Sequence, residues 1–209
     1  MSVGEPAESS AAHKARMEAV QEERDRAVRG KRIKRGVIVI NTGGGKGKST
    51  AAFGMAIRAA GHGQRVAVVQ FIKGTWKTGE QVAIKRFPEI THVVAGDGFT
   101  WVTQDRDKDI ASTRAGWLRA LAMIEASRED EPAFELLVLD ELNVAIDCGY
   151  LPVEEVVAAL AGKPAALSIV VTGHRARPEL IAIADTVTEM STVKHAFQAG
   201  IKARRGIEY

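Results

Sequence analysis

The stretch that most constrains this chain is NTGGGKGKST, residues 41–50, set directly behind the apolar run GVIVI. Residues 42–49 fit the strand–loop–helix phosphate motif at every position but the first, where Thr42 stands in place of glycine. Each part has a physical task. Gly43, Gly44, Gly45 and Gly47 let the backbone turn so that successive N–H groups face anionic oxygens. A helix starting near Ser49 aims its positive end at the same point. Lys48 supplies a fixed cation, the Ser49 hydroxyl can ligate magnesium, and Lys46 and Thr50 flank them. A buried strand before the loop and a small-residue helix after it supply the confirming context. This loop is a nucleotide site.

The flanking sequence extends the same architecture. Short apolar runs at 36–42, 66–72, 91–96, 134–142 and 167–173 alternate with helix-prone stretches at 49–60, 107–127 and 153–160. Residues 180–190 complete the pattern as a helix and a short strand. Continuous apolar strands alternating with helices predict an α/β fold, a mainly parallel sheet covered by helices on both faces. Residues 1–35 precede it as a helix-prone basic arm, with a mobile start, and 36–209 form the phosphate-loop domain. Within the arm only Met17, Val20 and Val28 offer apolar surface, so it reads either as a solvated helix or as one that orders against a partner.

Charge and composition narrow the partners. Of 29 Lys and Arg and 26 Asp and Glu, the whole excess of three lies in residues 1–35, and the body is neutral. A basic nucleic-acid groove on the body is therefore not expected. No apolar run approaches the roughly 20 residues that cross a bilayer, and residues 1–35 have no apolar core of a leader peptide. With Cys148 as the single cysteine, the expected home is the reducing cytoplasm.

The run LLVLDE ends in Asp140 and Glu141, at the carboxyl end of a strand where ligands gather in open α/β sheets. Either acid could hold magnesium, directly or through water. Arg175, just past another strand end, could reach a phosphate or a ribose. Lid arginines of the kind that clamp a transferring phosphate are not evident. His195 reads as structural or substrate-facing, and no histidine pair has metal-ligand spacing. In GDGFTWVTQ, residues 96–104, Phe99 and Trp101 are two apart, so an extended loop turns both rings to one face. They serve either as core aromatics or as the floor of a planar ligand.

Together, TGGGKGKSTAAFG, VVQFIKGTW, GFTWVTQ, LVLDEL, ADTVTEM and VKHAFQAGIKARRGIEY resemble the phosphate-loop ATP:corrinoid adenosyltransferases of cobalamin synthesis and salvage. The arm and WVTQDRDKDIA are most similar to the cob(I)yrinic acid a,c-diamide branch. The resemblance implies transfer of the 5′-deoxyadenosyl group of ATP to cobalt(I) of cob(I)yrinic acid a,c-diamide or cob(I)alamin, with release of triphosphate. It implies Lys48 on the departing triphosphate, Mg2+ or Mn2+ on Ser49 and on Glu141 rather than Asp140, and Phe99 and Trp101 against the corrinoid's lower face. It further implies a homodimer whose arm helps cover the partner's site, and admits a flavoprotein reductant. A conventional ATPase or small-molecule kinase is the competing expectation, with phosphate or ADP as product.

Overall fold

The computed structural model describes residues 9–72, 78–95 and 105–208, and the chain divides into two units between Lys34 and Arg35. In the first unit, α1 (Ser10–Arg29) begins where the Ser9 hydroxyl accepts the Ala12 N–H at 3.2 Å. That cap starts the helix, because it satisfies one of the orphan amides of the first turn. None of its residues is buried, so among the described residues of its unit it is supported by capping and local side-chain pairs rather than by a core.

The second unit is built on a six-stranded sheet in the order β3-β2-β4-β5-β1-β6. Its strands are β1 (Ile38–Thr42), β2 (Val66–Gln70), β3 (Ile90–Val94), β4 (Leu136–Asp140), β5 (Ser168–Thr172) and β6 (Thr186–Glu189). Every pairing is parallel. The four inner strands are apolar on both faces because helices lie on both sides, as expected from their continuous runs.

One face is closed by α2 (Lys48–Gly61), whose Ala52, Phe53, Ala56 and Ala59 pack on Val66, Val68, Val138 and Val170. A short helix, α3 (Gly79–Ile84), adds Ile84 to that layer. The other face is closed by α4 (Arg106–Ala126), α5 (Leu142–Asp147), α6 (Val153–Ala161) and α7 (Pro178–Ile183). Trp117, Leu142, Ala145, Val156, Leu160 and Leu180 supply its core. Trp117 is fully enclosed, and its indole N–H donates to Glu155 at 2.7 Å.

The structure departs from the apolar pattern at the end of β4. The pattern extends the strand to residue 142, yet β4 stops at Asp140. Glu141 takes a left-handed backbone (φ 63°) and opens α5. No glycine or proline marks this break, because a tertiary hydrogen bond makes it. The Glu141 N–H donates to the Thr172 hydroxyl at 2.9 Å, which turns the chain out of the sheet.

Candidate functional site: a phosphate loop at the carboxyl edge of the sheet

The loop between β1 and α2 owes its course to two constraints. Gly47 caps α2 with φ 107°, a left-handed conformation that only glycine adopts without strain. Gly43 and Gly45 pass so close to the segment after β6 that a Cβ on either would stand 2.4 and 2.7 Å from the Met190 carbonyl oxygen. Inside the turn lies Lys48, only 6% exposed, its ammonium donating to the Gly43 and Gly45 carbonyls at 2.8 and 2.6 Å. Its charge is thus held at the loop's centre. Ser49 follows on the first turn of α2, half-buried, and Thr50 is exposed.

Thr42, the departure from the motif, is buried and its hydroxyl accepts the Ala176 N–H at 3.0 Å. A glycine there could not hold the loop that follows β5. Lys46 points outward and pairs with Glu208.

Strand β5 separates β1 from β4, so Asp140 stands about two strand spacings, about 10 Å, from the loop strand. The end of β5 bridges that gap. Thr172 donates its hydroxyl to Asp140 Oδ1 at 2.7 Å while receiving the Glu141 amide. Asp140 is fully buried, and its Oδ2 accepts from Gln70 Nε2 at 2.8 Å across the β2–β4 pair. Gln70 Oε1 in turn accepts from Gln81 Nε2 at 3.0 Å and His92 Nε2 at 2.9 Å. Because that oxygen only accepts, His92 carries its proton on Nε2. Burial, reinforced by Lys85 and opposed by Asp140, holds its pKa below the ordinary imidazole value. A polar chain therefore crosses four strands, from β3 to β5, and ends at Glu141. Asp140 is fixed beneath the site, and Glu141 sits at its rim.

A cavity of about 580 Å³ opens beside the loop, lined by Thr42, Gly43, Gly44, Asp147, His174 and Arg175, among others. Arg175 has a left-handed backbone (φ 50°), unusual for a residue with a side chain, and donates to Asp147 at 3.2 Å. Burial and the nearby Lys48 lower the His174 pKa, opposed by a hydrogen bond to the Gly43 backbone. His195 has a local role: its Nδ1 accepts the Phe197 N–H at 3.1 Å and caps a turn of 3-10 helix. Phe99 and Trp101 lie outside the described residues.

A sequence model of the family described as ATP:corrinoid adenosyltransferase BtuR/CobO/CobP matches residues 34–209, the whole of the sheet domain. The chain belongs to the ATP:corrinoid adenosyltransferase family. Among its relatives, a corrinoid adenosyltransferase of Pseudomonas aeruginosa is 48% identical over 99% of this chain and 100% of that protein. The corrinoid adenosyltransferase CobA of Salmonella typhimurium is 43% identical over 93% of this chain and 96% of its own length. One of Sinorhizobium sp. is 43% identical over 98% of this chain and 95% of that protein.

Among the described residues of this adenosyltransferase, no three His, Cys, Asp or Glu side chains group into a metal cage. What the site offers is a hydroxyl, Ser49, and a carboxylate, Glu141. That donor set suits a hard cation that keeps waters and phosphate oxygens in its shell, as Mg2+ does. The polar chain through Gln70, Gln81, His92 and Thr172 escapes sequence reasoning, with one signal left unused. Gln70 is a buried polar residue inside the apolar run VAVVQF, and such residues are there to be hydrogen-bonded.

Proposed function

We propose that this chain transfers the 5′-deoxyadenosyl group of ATP to the cobalt(I) of a reduced corrinoid, cob(I)yrinic acid a,c-diamide or cob(I)alamin, and releases triphosphate. The observation that carries the reading is the full-length match to corrinoid adenosyltransferases, at 48% identity in one relative, which takes in the phosphate loop. The site's geometry supports it. The cavity beside the loop is large enough for a nucleoside, and Arg175 stands at its wall.

Cobalt(I) is the nucleophile and the ribose C5′ the electrophile. The new cobalt–carbon bond forms as the C5′–O bond breaks, and that electron pair leaves with the triphosphate. No proton has to move. The protein's work is to hold the leaving group and stabilise charge growing on it. Lys48 does this from the centre of the loop, helped by those loop amides that are not already engaged, as the Gly45 N–H is with Met190. Ser49 and Glu141 would hold Mg2+, which would neutralise further phosphate charge, while Asp140 positions its neighbours from below. Phe99 and Trp101 are read as pressing on the corrinoid's lower face and excluding an axial ligand.

The arm is read as docking on a second copy: Met17, Val20 and Val28 are exposed on a helix with nothing buried. A homodimer in the cytoplasm, supplied with electrons by a flavoprotein, completes this reading. No described helix is long and apolar enough to cross a membrane.

The test mixes protein, Mg2+, ATP and chemically reduced cob(I)alamin without oxygen. A light-sensitive adenosyl–cobalt spectrum with one equivalent of triphosphate is expected. Phosphate or ADP without a new cobalt spectrum would instead make this a conventional phosphate-loop ATPase or kinase.

A further inference from the structure

We propose that Glu208 belongs to the phosphate site and acts there as an internal anion, competing with the bound triphosphate for Lys46. The proposal rests on the transfer reading above, in which the whole triphosphate must leave the loop after each turnover.

Two parts of the segment after β6 meet the phosphate loop: residues 190–192 and Glu208. The Met190 N–H donates to the Thr42 carbonyl at 2.8 Å, and the Met190 carbonyl accepts the Gly45 N–H at 2.6 Å. The Thr192 hydroxyl donates to the Gly44 carbonyl at 3.3 Å. The Glu208 carboxylate then pairs with the Lys46 ammonium. The two partners differ in freedom. Glu208 is only 20% exposed in its side chain, and its N–H is tied to the Arg204 carbonyl at 2.8 Å. Lys46 is 55% exposed on a long flexible stem. The carboxylate is the anchored half of the pair, and the lysine is the half that can move.

Lys46 lies between Gly45 and Gly47, within the phosphate loop itself. Its ammonium can therefore serve a phosphate oxygen or Glu208, and serving one weakens its hold on the other. The loop already has the strong cation it needs in the buried Lys48. What Glu208 adds is a limit on how tightly the leaving group is retained.

Calorimetric titration of the full chain with inorganic tripolyphosphate and Mg2+ tests this without any corrinoid. Exposed ion pairs shift such equilibria by a few-fold, so Glu208→Gln should bind tripolyphosphate about three- to five-fold more tightly. It should also show correspondingly stronger product inhibition. The gain should vanish when Glu208→Gln is combined with Lys46→Ala. Unchanged or weaker binding by Glu208→Gln would overturn the proposal and leave the transfer reading intact, as would an equal gain in the Lys46→Ala background. Failure of the unaltered protein to bind tripolyphosphate at all would overturn the phosphate-loop reading together with this one.

Discussion

Thr42 and Lys48 illustrate how much one side chain can decide in this loop. Thr42 breaks the glycine pattern in order to hold the loop after β5 through its hydroxyl. Restoring the motif with Thr42→Gly should therefore cost about 1 kcal/mol, the worth of one such hydrogen bond, while Thr42→Ser keeps it. Urea midpoints of the two variants separate these outcomes. Lys48 is buried with its charge aimed into the turn, so its loss removes a charge-assisted contact that no neighbour replaces in kind. Lys48→Ala should weaken ATP binding by at least about tenfold in calorimetry. Unchanged affinity would refute the assignment of the loop.

At the level of elements, the sheet's register does what no single strand could. The β2–β4 pairing sets Gln70 opposite Asp140, and β5 brings Thr172 to the other side of the same carboxylate. Replacing Gln70 with Leu takes one hydrogen bond from a buried carboxylate oxygen and one from the His92 N–H. Losing a hydrogen bond to a buried charge costs about 3 kcal/mol. Gln81→Leu should cost clearly less, since Gln81 is only half-buried and Gln70 keeps His92. Equal urea midpoints for the two variants would argue that the chain of contacts from β3 to β5 does not work as described.

For the domain as a whole, the start of β1 is fastened to the residue just before β6 by Arg35 and Asp185. Their side chains pair, and Asp185 also accepts the Ile38 N–H at 2.9 Å. The Arg35 hydrogen bond, then that of Ile38, pulls the Asp185 carboxyl down to about 2. Its folded pKa lies below its unfolded one, so its contribution is fully present above about pH 4 and is lost as pH falls through about 2. Because the Arg35 side chain stands in solvent, that contribution is small. The unaltered protein should lose more stability between pH 4 and pH 2 than Asp185→Asn does, as followed by urea midpoints at the two pH values.

The division of labour between sequence and fold follows from distance along the chain. The loop around Lys48 was legible because its parts are contiguous. The parallel sheet was legible because continuous apolar runs alternating with helices have few other ways to bury both faces. Contiguity also made Asp140 and Glu141 readable as acids at a strand end. Their different positions, one buried beneath the site and one turned out at its rim, were not, since Thr172 and Gln70 impose them from 32 and 70 residues away. The same holds for the hold of Met190 on Gly45, and for Lys46 and Glu208, 162 residues apart. Local pattern records which residues can make a phosphate loop. Which of its amides and lysines are already engaged is decided only when strand pairing brings distant segments to one edge of the sheet.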